Sequence, residues 1–516
     1  MPSPIQVRML AIVVFVVVAL PWLNPFSPGP TTAVGPLLFS WWCAALLLLA
    51  LAVDRRQGHH TRMVHAIALA WLAGASISAL IGLLQYFGAT EHFGVWLNHT
   101  QVGEAYGNLR QRNQFATLIN IGLVALVWLE ASYRFCSFNS NKQLQHPWQA
   151  AGMLALAVLL GAGNAASSSR TGLFQLILVL VVALWWQRAS GRRVYPVVLT
   201  AVLAYAACTI ALPLLAGLDP LTSGAWARLR AGDAACTSRL TLWGNVLHLI
   251  TLKPWLGWGW GELDYAHFIT LYPGARFCDI LDNAHNLPLH LAVELGVPVA
   301  LLASALALVL VWRGKPWRET MPTRQMAWGI LAVILLHSLL EYPLWYGPFQ
   351  MAAGLSLWLL WWQPRHPDQT QTYQKISTLA QSSKALAAIF LIVFCGIAAW
   401  NYHLASQIYL DPEDRASGYE EKTLEKTRGV WLYQDQVRFA DLTITDLTPA
   451  NAATVYPLAL EILHFSPEAR VAEVLINSAL LLGRMDDVAF YLARLRVAFP
   501  ADYARWKQQH PAVKLN

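Results

Sequence analysis

Apolar runs of about 20 residues recur along this chain, and they limit its fold more than any other feature. A helix needs about 20 apolar residues to cross ~30 Å of hydrocarbon. Within lipid only helices and closed barrels satisfy their own backbone groups. Eleven runs are readable, near 5–23, 31–53, 64–87, 114–132, 148–165, 171–187, 194–217, 287–312, 326–342, 348–362 and 385–407. Composition agrees: 13% of the 516 residues are charged, against roughly 25% in a soluble domain. The expectation is an all-α polytopic membrane protein with about eleven transmembrane helices. Arg8 precedes the first run, but no small-x-small cleavage site follows it, so the run reads as an uncleaved helix and not a signal peptide.

Lys and Arg in short loops set orientation. One alternate set of loops holds Arg55, Arg56 and Arg62; Arg134 and Lys142; Arg188, Arg192 and Arg193; Arg313, Lys315, Arg318 and Arg324; and Arg365, Lys375 and Lys384. The opposite set begins with 24–32, which carries no charge. The first set is therefore expected in the cytoplasm, with the N-terminus inside and the C-terminus outside. The net charge of +7 is explained by these loops, which argues against nucleic acid as a partner.

Two segments depart from the membrane pattern. The outer loop 218–286 is read as part of a transmembrane domain spanning 1–407, and its Trp243, Trp255, Trp258 and Trp260 suggest a segment lying on the membrane surface. The tail 408–516 is charged and reads as a separate soluble domain of paired helices resembling tetratricopeptide units. Helical spacing marks 452–464, 467–482 and 486–499, with Gly483 placed as a C-cap and Asp486 or Asp487 as the next N-cap. Cys236 and Cys278 share the outer loop. An oxidising compartment permits their pairing, and the plain alternative is two buried thiols.

Polar residues gather on the outer side. Asp282-Asn283-Ala284-His285-Asn286 stands before the run at 287–312, which carries His290 and Glu294 onward toward the membrane. A neutral imidazole can take a proton at neutral pH, and Asp282 or Glu294 could orient it. A lone histidine there would more often just bond the backbone; the crowding of Asn283, Asn286, His290 and Glu294 favours function. His285 and His290 are badly spaced for a metal, and no H-E-x-x-H is present. Arg170, Arg239, Arg110 and Arg112 put several guanidinium groups on the side that the charge rule leaves poor in cations. Together they suit a polyanion such as pyrophosphate. His337 and Glu341, four apart, are expected on one face of the ninth span. Gly257-Trp-Gly-Trp-Gly261 lacks the strand–helix context of a nucleotide loop.

The order Arg239-x3-Trp243, Lys253-Pro-Trp-Leu-Gly257-x-Gly259, Asp282-Asn-Ala-His285-Asn286 and Glu294-Leu-Gly296 resembles the bacterial O-antigen ligase and O-antigen polymerase superfamily. Gly107-Asn-Leu-Arg-Gln111-Arg-Asn113, His337-Ser-Leu-Leu-Glu341-Tyr342-Pro343 and the helical tail look like its pilin-type protein O-oligosaccharyltransferase branch. Arg112 and Gln114 depart from that branch, which more often has Pro and His there. The resemblance implies a GT-C-like ligase fold in a bacterial inner membrane, with the active site in the periplasm. It implies a donor glycan on undecaprenyl pyrophosphate and a periplasmic acceptor protein, pilin being typical, with no metal or cofactor. His285 would be the base, helped by Asp282 and Glu294. Arg170, Arg239 and Arg112 would hold pyrophosphate. Gln111, Asn113, Asn283, Asn286, His337, Glu341 and Tyr342 would line the substrate site. The competing readings are an O-antigen ligase or polymerase with a saccharide acceptor, and a transporter of lipid-linked glycan. Transporter sites usually lie mid-membrane on broken helices, not at one outer face.

Overall fold

The computed structural model describes residues 4–53, 60–139, 147–190, 195–232, 235–362 and 377–511. The loop residues Arg55, Arg56, Lys142, Arg192, Arg193, Arg365 and Lys375, on which the orientation reading leans, lie outside that set. Among the described residues all regular structure is helical. Contacts divide the chain into one unit of residues 1–232 and 310–396 and another of 233–309 and 397–516. Residues 233–286 of the outer loop thus group with the tail, while 218–232 stay with the first unit.

The first unit opens with α1 (Pro4–Leu23), α2 (Val34–Val53), α3 (His60–Tyr86), α4 (Arg112–Asn139), α5 (Pro147–Ala166), α6 (Arg170–Ser190), α7 (Tyr195–Leu215) and α8 (Gly224–Ala231). Lipid gives apolar side chains no reason to leave it, so helices here associate through close packing of small residues. Gly163 of α5 shows this: a Cβ there would stand 2.8 Å from Ala79 Cβ of α3. Gly122 of α4 lies against Ala75 of α3 in the same way.

In the second unit come α9 (Arg239–Leu252), α10 (Leu263–Ile269), α11 (Leu287–Leu295) and the start of α12 (Val297–Gly314). The expected continuous span at 287–312 is broken at Gly296, whose φ of 91° ends α11. The apolar run hides the break because both halves are equally hydrophobic. His290 and Glu294 accordingly do not enter the membrane on a long helix; they sit on a nine-residue helix ahead of it.

The first unit resumes with α13 (Pro322–Ser338), α14 (Gly347–Trp362) and most of α15 (Ser377–Ser406). Helix α13 stops short of Glu341, which lies on the following turn with its N–H bonded to His337 O at 2.8 Å. His337 and Glu341 therefore share a turn and not a helix face. Among the described residues eight helices are long and apolar enough to cross a membrane, α12 among them. The chain is a multi-pass membrane protein.

The tail adds α16 (Thr423–Thr427), α17 (Gln434–Ile444), α18 (Ala452–Phe465), α19 (Ala469–Leu481), α20 (Met485–Ala498) and α21 (Pro500–Gln509) to the second unit. Gly483 adopts φ 70°, and Arg484 N reaches back to Ala479 O at 2.9 Å, closing α19 as a Schellman cap. Asp486 and Asp487 are not N-caps. They occupy the first turn of α20, where carboxylates favour the helix dipole. Phe268 of α10 is buried in the tail's core, Arg494 Nε donates to Ile269 O at 2.9 Å, and His464 Nδ1 meets Glu262 Oε2 at 2.7 Å. The tail holds the loop through α10.

Candidate active site

The segment before α11 is built from backbone bonds. Asn283 Oδ1 accepts from His285 N at 2.9 Å, and Asn286 Oδ1 accepts from Leu289 N at 3.1 Å as the N-cap of α11. Pro288 lies in the first turn, where a missing N–H costs nothing. Between the two amide side chains His285 takes φ 49°. A left-handed non-glycine residue is uncommon and costs about 1–3 kcal/mol, so it persists only where its surroundings enforce it. From the other side Trp243 Nε1 donates to Ala284 O at 3.1 Å, and Ala284 is buried in the loop's core. Asn283 and Asn286 use these oxygens to fix the peptide that presents a half-buried imidazole. Asp282 is exposed.

Glu294 pairs with His290, not with the candidate base: His290 Nε2 lies 3.3 Å from Glu294 Oε2, both side chains 2% exposed. Burial pushes the Glu294 carboxyl up to about 7, against N–H bonds from Gly261 and Leu263 that lower it. Burial, with His285 nearby, pushes His290 down to about 4. Both shifts run toward the uncharged forms, so burial works against an ion pair here.

The glycine-rich turn explains itself structurally. Trp258 N and Gly259 N donate to Val293 O (2.9 Å) and Glu294 O (3.0 Å), taking up carbonyls at the end of α11. Gly257, at φ 70°, touches the Glu294 carbonyl, and Gly296 touches that of Trp255, so neither position has room for a Cβ. Sequence reasoning excluded a nucleotide loop here and gave its glycines no role. The turn closes α11, and its glycines permit the approach.

In the first unit the amide-rich box starts α4. Asn113 Nδ2 donates to Glu341 Oε1 at 3.0 Å, and Gln111 Nε2 lies 3.5 Å from Glu341 Oε2. Ser169 Oγ donates to Asn113 Oδ1 at 2.6 Å while accepting from Gly172 N at 3.0 Å. Below them Thr117 Oγ1 stands 2.9 Å from His337 Nδ1, and Gln175 Nε2 donates to Thr117 Oγ1 at 2.9 Å and Val333 O at 3.0 Å. Glu341 receives the two amides. Tyr342 stacks on Tyr346 with ring centroids 5.8 Å apart. Arg112 pairs with Glu104 and contacts Tyr106 OH at 3.2 Å, so its charge is matched within its own loop. Gln85 escaped notice in the sequence, yet its side chain bonds Asn98 O, Gly107 O, Tyr106 N and Gly107 N within 2.9 Å. A fully buried amide at the end of an apolar helix was the available signal.

Arg170 begins α6 and Arg239 begins α9. Both stand at helix N-termini, where the dipole already favours an anion. Left-handed non-glycine residues stand next to Gln111 (Arg110, φ 61°) and close to Arg170 (Ser168, φ 51°), as well as at His285 itself. Cys236 and Cys278 are disulfide-bonded, with Cα atoms 5.4 Å apart.

Three family descriptions match consecutive parts of the chain. These are protein glycosylation ligase over residues 105–129, O-antigen ligase over 155–304, and the C-terminal region of virulence factor membrane-bound polymerase over 325–514. Two curated proteins of Acinetobacter baylyi are similar. A general O-oligosaccharyltransferase is 26% identical over 357 residues, covering 66% of this chain and 58% of the relative. A ComP-specific O-oligosaccharyltransferase is 25% identical over 313 residues, covering 60% of this chain and 53% of the relative. The matches thus span little more than half of each relative's length. The three family matches run through the amide box, the His285 loop and the tail, and with the two relatives they support a likeness to the O-antigen ligase superfamily near its protein glycosylation ligase branch.

Proposed function

We propose that the chain is a protein O-oligosaccharyltransferase. It moves a glycan en bloc from undecaprenyl pyrophosphate to a Ser or Thr hydroxyl of a periplasmic protein, pilin-like in kind. The observation that carries this reading is His285, held half-exposed on a strained backbone by Asn283 and Trp243. An alcohol needs a base to attack an anomeric carbon, and a leaving pyrophosphate needs its charge met. His285 takes the hydroxyl proton, the oxygen bonds to the anomeric carbon, and the glycosidic bond to phosphate breaks. Arg239 and Arg170 are assigned to the pyrophosphate, each as a charge-assisted donor. The names of the two Acinetobacter relatives support a protein acceptor. The basic loops support an inner-membrane protein with a cytoplasmic N-terminus and the reaction on the periplasmic side.

The match to an O-antigen ligase description keeps a saccharide acceptor as the second reading. Expression with a lipid-linked glycan, candidate acceptor proteins and lipopolysaccharide core separates the two. Sugar on a protein hydroxyl is expected. Sugar on the core, with every protein left bare, would overturn the proposal in favour of a ligase.

A further inference from the structure

The turn that closes α11 exposes the side chains that a soluble loop hides. Trp255 is 76% exposed and Leu256 86%, with Trp260 and Leu252 also exposed nearby. Trp243 and Trp258, from the same aromatic set, point the other way: Trp258 Nε1 donates to Leu249 O at 3.0 Å, and Trp243 holds Ala284. The outward pair is not a frayed tip. Val297 N donates to Pro254 O at 2.9 Å, and the contacts of Gly257 and Gly296 lock the turn to the helix junction.

That junction fixes its height. Val297 is the first residue of a membrane-length helix of which only Ala300 is buried, and Val299, Leu301 and Leu302 of its first turns are exposed, as Trp255 and Leu256 are. Residues bonded to the first turn of a span lie at the boundary between headgroups and acyl chains. Tryptophan is enriched there because its ring is amphipathic. Lys253 adds a cation at the same level, its Nζ 4.1 Å from the Trp258 ring.

We infer that the turn 254–260 is a lipid anchor, with Trp255 and Leu256 seated among the outer ends of the acyl chains. Because the same turn bonds the end of α11, the anchor sets the height of the His285 segment above the bilayer. A donor whose pyrophosphate lies at headgroup level needs its base at a fixed height. This use of the anchor rests on the transferase reading, while the anchoring itself rests only on α12 as a span.

The test places an environment-sensitive thiol probe at Leu256→Cys, and separately at Trp255→Cys, in full-length protein in phosphatidylcholine nanodiscs. Cys43, Cys136, Cys208 and Cys395 are first replaced, and the disulfide is left intact. Leu481→Cys in the tail is the water-facing control. Lipid spin-labelled high on the acyl chain should quench both anchor probes, and aqueous iodide should quench them several-fold less than the control. Iodide quenching equal to the control, with no effect of spin-labelled lipid at either position, would overturn the anchor. The readout is independent of turnover, so that result would leave the proposed reaction standing.

Discussion

The cluster around Glu341 and the segment around His285 use similar residues in opposite ways. In the first unit, amide, hydroxyl, imidazole and carboxylate bond one another inside a buried network, with Glu341 4% exposed. In the second, the amides bond the backbone, and the imidazole they frame is left half-exposed on a left-handed residue. A buried, mutually bonded network rigidifies what it joins. Strain at an accessible, titratable group is what a reactive position requires. The difference teaches that residue type alone does not mark chemistry; what the side-chain oxygens bond to does.

Substitutions can break this contrast, and the largest effect on stability is expected at Gly296→Ala. The position is at φ 91°, and its Cβ would meet the Trp255 carbonyl. Alanine at positive φ destabilises by more than about 1 kcal/mol even without a clash. Thermal unfolding of purified protein should show the loss; an unchanged melting point would mean the turn does not close α11 as described. Glu341→Gln should cost about 1–3 kcal/mol, because the new amide turns one N–H donor toward Asn113 or Gln111 and leaves a buried group unmatched. If that variant melts with the wild type, the network is not tight. Trp243→Phe removes one hydrogen bond to Ala284 O and keeps the ring, so about 0.5–1.5 kcal/mol is expected.

The pH profile of the second unit offers a finer test. Asp264, held up to about 7 by burial and by Glu262 and Asp282, and Glu294 at about 7 both bind protons more readily when folded. Their contribution falls as pH rises from about 4 toward 7. His267, pushed by burial to about 3, and His290 at about 4 bind protons less readily when folded, so their contribution rises toward 6.5. The two trends oppose each other. Asp264→Asn keeps the bond from Tyr265 N and removes one falling term, so its stability should climb with pH between 4 and 6.5 relative to wild type. Parallel profiles would show that Asp264 is not the group responsible.

Much of the fold was legible because it is written in local periodicity: the long apolar runs, the amphipathic tail helices, Gly483 as a stop. The break at Gly296 was not, since a glycine within an apolar run signals nothing until another backbone approaches it. The docking of α10 into the tail joins residues about two hundred positions apart, and no local pattern encodes that. At the site, the motif order picked out the His285 loop. It could not separate amides that bond the backbone from amides that bond Glu341. The spacing of His290 and Glu294, four apart on α11, did mark them as a pair.

The central claim is that His285 acts on the acceptor hydroxyl. Donor binding and glycan transfer should be measured side by side on purified, folded His285→Ala, with Arg239→Ala as comparison. The account predicts a transfer loss of about 10²–10⁴-fold for His285→Ala with donor affinity nearly unchanged, and loss of both for Arg239→Ala. Normal transfer by folded His285→Ala would contradict it and leave His285 as a structural residue of the turn.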